Sequence, residues 1–181
     1  VTFAPAALRT GSAGRIFHAA RLHVANPWTT LILPWLIYAA IFAMTYAIWR
    51  VIVMGAGGIE NLKPDAFMYN GGGMWVLFYM LVVAVQAMNL TFKFALGLCL
   101  TRREYYLGTA GYFLFLSLVY ATGITLAGLV EKATNGWGLN GSFFIPFYLR
   151  DAPVGQLWFA WFGLFALFFF VGAAVATVFV R

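Results

Sequence analysis

Four long apolar runs, at about 28–54, 74–100, 107–130 and 156–180, decide what this chain can fold into. Each is at least as long as the roughly 20 apolar residues that a helix needs to cross the ~30 Å hydrocarbon core of a bilayer. A segment in lipid must satisfy its backbone N–H and C=O groups internally, which a helix does on its own. The expected fold is therefore all-α and polytopic, with four transmembrane helices in one transmembrane domain. Composition agrees: 64% of the 181 residues are hydrophobic and 9% are charged. So few charges cannot cover a soluble globule. Residues 1–27 hold no continuous apolar stretch ahead of a small-residue cleavage site, so the first run reads as a span and not as a signal peptide.

The links between the runs differ in kind. GAGGIENLKPDAFMYNGGG, within about 55–73, has the glycines, proline and mixed charges of a loop. A second long link, about 131–155, is polar at its ends but carries FFIPFYL at its centre. Seven residues cannot cross a bilayer, so this centre is expected in the interface or packed on helix ends. The link between the second and third runs, about 100–107, is short and holds Arg102, Arg103 and Glu104 side by side.

Basic residues set the orientation. Arg9, Arg15, Arg21, Arg102, Arg103 and Arg181, with Lys93 nearby, fall on one side, against Arg50, Lys63, Lys132 and Arg150 on the other. The positive-inside rule then makes the N-terminus and the 100–107 loop cytoplasmic, in a multi-pass protein of the plasma membrane. Glu60, Asp65, Glu131 and Asp151 all fall on the outer side. The net charge of +6 is thus spread between spans and forms no basic face for nucleic acid.

Ahead of the first span, about 14–25, Phe17, Ala20 and Val24 share one helical face, while Arg15, His18 and Arg21 take much of the rest. This pattern predicts an amphipathic helix lying on the membrane surface in contact with lipid and turning inward at Pro27. In the second span, Gln86, Asn89 and Lys93 stand at i, i+3 and i+7 and so share a stripe. Such a stripe either lines a pathway or glues helices together, with Lys93 reaching the interface. Gly123 with Ala127, and Gly172 with Ala176, are small-residue pairs that permit close helix approach. The aromatic fourth span suits lipid, a partner helix or a pocket for an apolar substrate.

Catalytic constellations are not legible. Asp65 and Asp151 lie outside the spans, and no Gly-rich phosphate loop ending in Gly-Lys-Ser/Thr occurs. The single Cys99 and the pair His18 and His23 lack the company that a metal site needs. The expectation is no enzyme and no cofactor on this chain.

The run FALGLCLTRREYYLGTA, 94–110, resembles the G-x-x-x-T-R-R-x-[FY] segment of the membrane subunits of type-2 ABC exporters. ATGITLAGLVEKATNGWG, 121–138, is similar to the third helix and outer-loop start of the same proteins. The resemblance implies that Thr101, Arg102, Arg103, Glu104 and Tyr105 form a coupling element contacting separate ABC ATPase subunits, which would carry Mg-ATP. It implies a second copy, or a homologous permease, completing the pathway, and it makes the 14–25 helix a membrane-surface elbow. Those permeases usually have six spans, so the chain is expected to be part of a longer polypeptide. The competing expectation is a non-transporting membrane scaffold or accessory subunit.

Overall fold

The computed structural model describes residues 28–97 and 101–179, so the expected surface helix with Arg15, Phe17, His18 and Arg21 lies outside the described residues. Within them every apolar run forms a helix and no strand occurs. Four helices are long and apolar enough to cross a membrane: Thr30–Gly55, Gly72–Asn89, Arg102–Ala133 and Val154–Val178. The protein is an all-α polytopic membrane protein.

The first span begins as a π turn, Trp28–Ile32, and continues as α1, Leu33–Gly55. Pro34 stands in the first turn of α1, where proline is tolerated. Having no N–H, it denies the Thr30 carbonyl its usual donor four residues on. The Tyr120 hydroxyl supplies that donor at 2.8 Å. The second span comprises a 3₁₀ turn at Gly72–Met74, α2 at Trp75–Gln86, a π turn at Ala87–Thr91 and α3 at Phe92–Gly97. The third is one unbroken helix, α4, Arg102–Ala133, and the fourth is α5, Val154–Phe179.

Helix α5 packs along both α2 and α4, and α1 stands outside this trio. The seam of α5 is Trp161, Phe165, Phe169, Gly172 and Ala176, all buried. Their spacing of three and four residues is a helical stripe. Phe169 stacks on Phe113 of α4 at 4.8 Å, and a Cβ on Gly172 would meet the Leu81 carbonyl oxygen of α2 at 2.6 Å. The aromatic richness of this span is therefore divided: one stripe is core, while Phe159 and Phe170 face outward. Helix α1 is held by rings, with Trp35 stacked on Tyr120 at 5.3 Å. Gly123 of α4 makes room for that indole, since a Cβ there would meet it at 2.5 Å.

The FFIPFYL segment packs on the helix ends. Phe143, Phe144 and Ile145 are buried, and the two phenyl rings pack against Tyr38 and Phe42 of α1. What draws the segment in is Glu131. Placed by charge alone in the outer loop, it is instead the third-from-last residue of α4 and only 2% exposed. Its carboxylate accepts hydrogen bonds from the backbone N–H groups of Phe143 (2.8 Å), Phe144 (3.0 Å) and Ile145 (3.2 Å), and from the Trp137 indole (3.4 Å). Between these partners the chain turns through Asn135, Gly136, Trp137 and Gly138, all at positive φ. Gly136 is obligatory here, because a Cβ would strike the backbone of Gly141. Asn140 then joins this turn to the other long link through the Pro64 carbonyl, and Arg150 donates to Asn140.

Glu131→Ala would orphan three buried N–H groups, each costing about 1–3 kcal/mol. The expected outcome is a loss of more than about 3 kcal/mol in unfolding free energy, read as a lowered thermal midpoint in detergent. Glu131→Gln, which keeps one acceptor oxygen, should fall between; an unchanged midpoint for Glu131→Ala would remove the carboxylate from this role.

Candidate functional site

The three adjacent charges of the short link are the start of a helix, and little of the expected 100–107 loop remains. Thr101 has extended backbone (φ −73°, ψ 151°) and caps α4, which begins at Arg102. Its hydroxyl accepts from the Glu104 N–H at 3.3 Å, and the Glu104 carboxylate accepts from the Thr101 N–H at 3.1 Å and the Thr101 hydroxyl at 2.8 Å. This reciprocal box satisfies donors that any helix start leaves free. The Thr-x-x-Glu spacing was in the sequence, and it explains why α4 starts about five residues before the apolar run does. Glu104 is consequently buried, whereas Arg102 and Arg103 are exposed.

Tyr105 faces inward. It is fully buried, its ring lies 5.2 Å from Phe92, and its hydroxyl donates to the Ala87 carbonyl at 2.6 Å. Ala87 opens the π turn of the second span, and its oxygen also accepts from the Phe92 N–H five residues on. The wider turn displaces the usual i+4 donor and leaves an acceptor that the tyrosine reaches. Of the five residues expected to form one contact element, the structure thus presents Arg102 and Arg103 outward beside the exposed Thr101. Glu104 and Tyr105 are spent on holding that pair rigidly to α4 and to the second span.

The π turn also alters the expected polar stripe. A regular helix would align Gln86, Asn89 and Lys93, but the five residues Ala87–Thr91 are wound differently. Gln86 is exposed and Asn89 is partly buried; Lys93 lies on α3, with its side chain outside the described part. Gln86 stands fourteen residues from Gly72 and eleven from Gly97, near the middle of the span. It continues an outward row with Phe78 and Val82, each four residues apart. A primary amide at mid-bilayer is costly against lipid, so this face suits a protein partner or water.

Sequence reasoning missed the roles of Tyr105, Tyr120 and Glu131 as side chains that serve backbone groups. Pro34 was the one available signal, since a proline inside a helix always frees a carbonyl. Among the described residues, no group of three or more His, Cys, Asp or Glu side chains is placed to hold a metal ion. No protein-family model, curated protein or solved structure matches the chain.

Tyr105→Phe keeps the ring and removes only the hydroxyl. The expected result is a loss of about 1–2 kcal/mol with faster amide hydrogen exchange concentrated in residues 87–92; a uniform change along the chain would argue against the Tyr105–Ala87 link.

Proposed function

We propose that the chain is a transmembrane subunit of an ATP-driven exporter of the type-2 ABC class, working as a dimer with separate ATPase subunits. The reading takes the Thr101 end as cytoplasmic and the membrane as the plasma membrane. The observation that carries it is the path from Arg102 and Arg103 to Gln86. Two exposed guanidiniums, suited to the carboxylates of a partner, project from a capped helix start. The next residues tie that start to the π turn beside the amide at mid-span. A partner that moves the arginines therefore moves the first turn of α4 and, through the Tyr105 hydroxyl, the π turn of the second span. The outward row of Phe78, Val82 and Gln86 is the face assigned to the second copy or to the pathway between copies. Hydrolysis of Mg-ATP belongs to the partner subunits, and this chain contributes no catalytic group to it.

Arg102→Glu combined with Arg103→Glu changes only exposed positions, so folding should hold within about 0.5 kcal/mol. The expected outcome is that an ATPase which copurifies from native membrane with the parent chain is lost from the double variant; retained association would sink the assignment. For the dimer face, Gln86→Cys in a Cys99→Ala background should cross-link two copies in membranes, whereas Val51→Cys on the outward face of α1 should not. Equal cross-linking at both positions, or none at Gln86, would exclude the α2 face as the meeting surface.

A further inference from the structure

Helices α4 and α5 leave an open groove between them near the Arg102 end, about 370 Å³ in volume. That lies within the ~300–1,000 Å³ typical of ligand sites. The wall that α4 contributes is two rows of side chains, Tyr106, Thr109 and Phe113 in one and Leu107 and Ala110 in the other. Spacings of three and four residues run each row along one helix face. Continued back by four residues, the first row starts at Arg102 and the second at Arg103. Opposite them α5 contributes Phe170, Ala174 and Thr177, and the buried Met88 of the π turn completes the lining. No charged side chain lines the groove.

The depth of the groove is that of a membrane lipid. Helix α4 has 32 residues, about 48 Å of helix, against ~30 Å of hydrocarbon and ~40–45 Å with the headgroups. Its apolar run begins at Leu107, about 8 Å along the axis from Arg102. The two arginines therefore stand at headgroup level, and the groove descends from Tyr106 at the hydrocarbon boundary to Phe113, about 16 Å from Arg102. Helix α5 runs antiparallel, since Trp158 bonds Thr122 while Phe169 stacks on Phe113, and this brings Thr177 level with the start of α4. Charge narrows the choice of lipid. Both arginines are exposed, while the neighbouring Glu104 is buried and its carboxylate accepts from Thr101. The other acids of the chain, Glu60, Asp65, Glu131 and Asp151, belong to the far end. A cationic excess at the mouth suits a phosphate, and the uncharged wall below it suits a hydrocarbon chain.

We infer that this groove holds an acyl chain of an anionic phospholipid whose phosphate sits against Arg102 and Arg103. The planar fork of a guanidinium matches phosphate oxygens as well as carboxylates. The site goes beyond the exporter reading and does not rest on it, because the lipid needs neither an ATPase nor a second copy.

The test titrates the full chain, purified in a neutral polyoxyethylene detergent, with dioleoyl phosphatidylglycerol or dioleoyl phosphatidylcholine and counts bound lipid by native mass spectrometry. The anionic lipid should bind about 30-fold more tightly, roughly fivefold for each arginine beside it. Arg102→Gln combined with Arg103→Gln should abolish that preference. Ala174→Phe, at an exposed position, fills the groove and should weaken both lipids about tenfold, the effect of keeping about two methylenes out of it. Should that variant misfold, Thr177→Leu at the mouth serves in its place. Val51→Phe on α1 should change neither lipid, and excess glycerol 3-phosphate, which brings no chain, should displace neither. Equal binding of the two lipids, an unchanged preference in the arginine variant, no effect of the groove variant, or displacement by glycerol 3-phosphate would each overturn the site. Disulfide cross-linking of two copies through Ala174→Cys in a Cys99→Ala background would give the groove to protein and overturn it as well. Failure here is separable from failure of the exporter reading, because lipid is counted without an ATPase and Ala174→Phe leaves Arg102 and Arg103 in place for one.

Discussion

A bilayer offers backbone polar groups nothing to bond to, so any carbonyl or N–H that leaves the helical ladder must find a partner within the protein. At three of the places where this chain leaves the ladder, one helix answers. Tyr120 of α4 bonds the Thr30 carbonyl freed by Pro34, Tyr105 bonds the Ala87 carbonyl of the π turn, and Glu131 gathers the N–H groups of Phe143, Phe144 and Ile145. Helix α4 is thus more than a packing surface. Its polar side chains tie down the first span, the π turn of the second and the segment 143–145 at the far end.

The cost of this arrangement is concentrated at Glu131, a carboxylate taken out of water. Burying such a charge is unfavourable unless its lone pairs are well used. Here the backbone supplies three N–H groups and Trp137 a fourth donor, so the charge is spread over dipoles and not over a counter-ion. The return is shape. Residues 143–145 would otherwise expose apolar rings beside unpaired N–H groups; pinned to the end of α4, they close the space between α1 and the trio of α2, α4 and α5.

The two ends of the molecule are built for different purposes. At the Thr101 end the capping box and Tyr105 leave two guanidiniums exposed on a rigid mount. At the Glu131 end the chain folds back on itself and packs the rings of Phe143 and Phe144 against Tyr38 and Phe42 of α1.

Apolar run length alone determined that the described residues form four helices long and apolar enough to cross a membrane, because hydrocarbon admits few other backbone solutions. The Thr101-x-x-Glu104 spacing contained the start of α4, and the stripe of Trp161, Phe165 and Phe169 contained the core face of α5, since both are local and periodic. Only the tertiary structure decided the rest. Whether Glu131 is a loop charge or a buried anchor depends on residues twelve to fourteen positions away turning back to meet it, which no local pattern encodes. The same holds for Gln86, Asn89 and Lys93: a regular period aligns them, but the π turn at Ala87–Thr91 breaks it, and the Ala87 carbonyl of that turn accepts from Tyr105, eighteen residues on, as well as from the Phe92 N–H. Long-range pairing of polar groups with freed backbone, invisible to periodicity, is what turned four spans into this particular molecule.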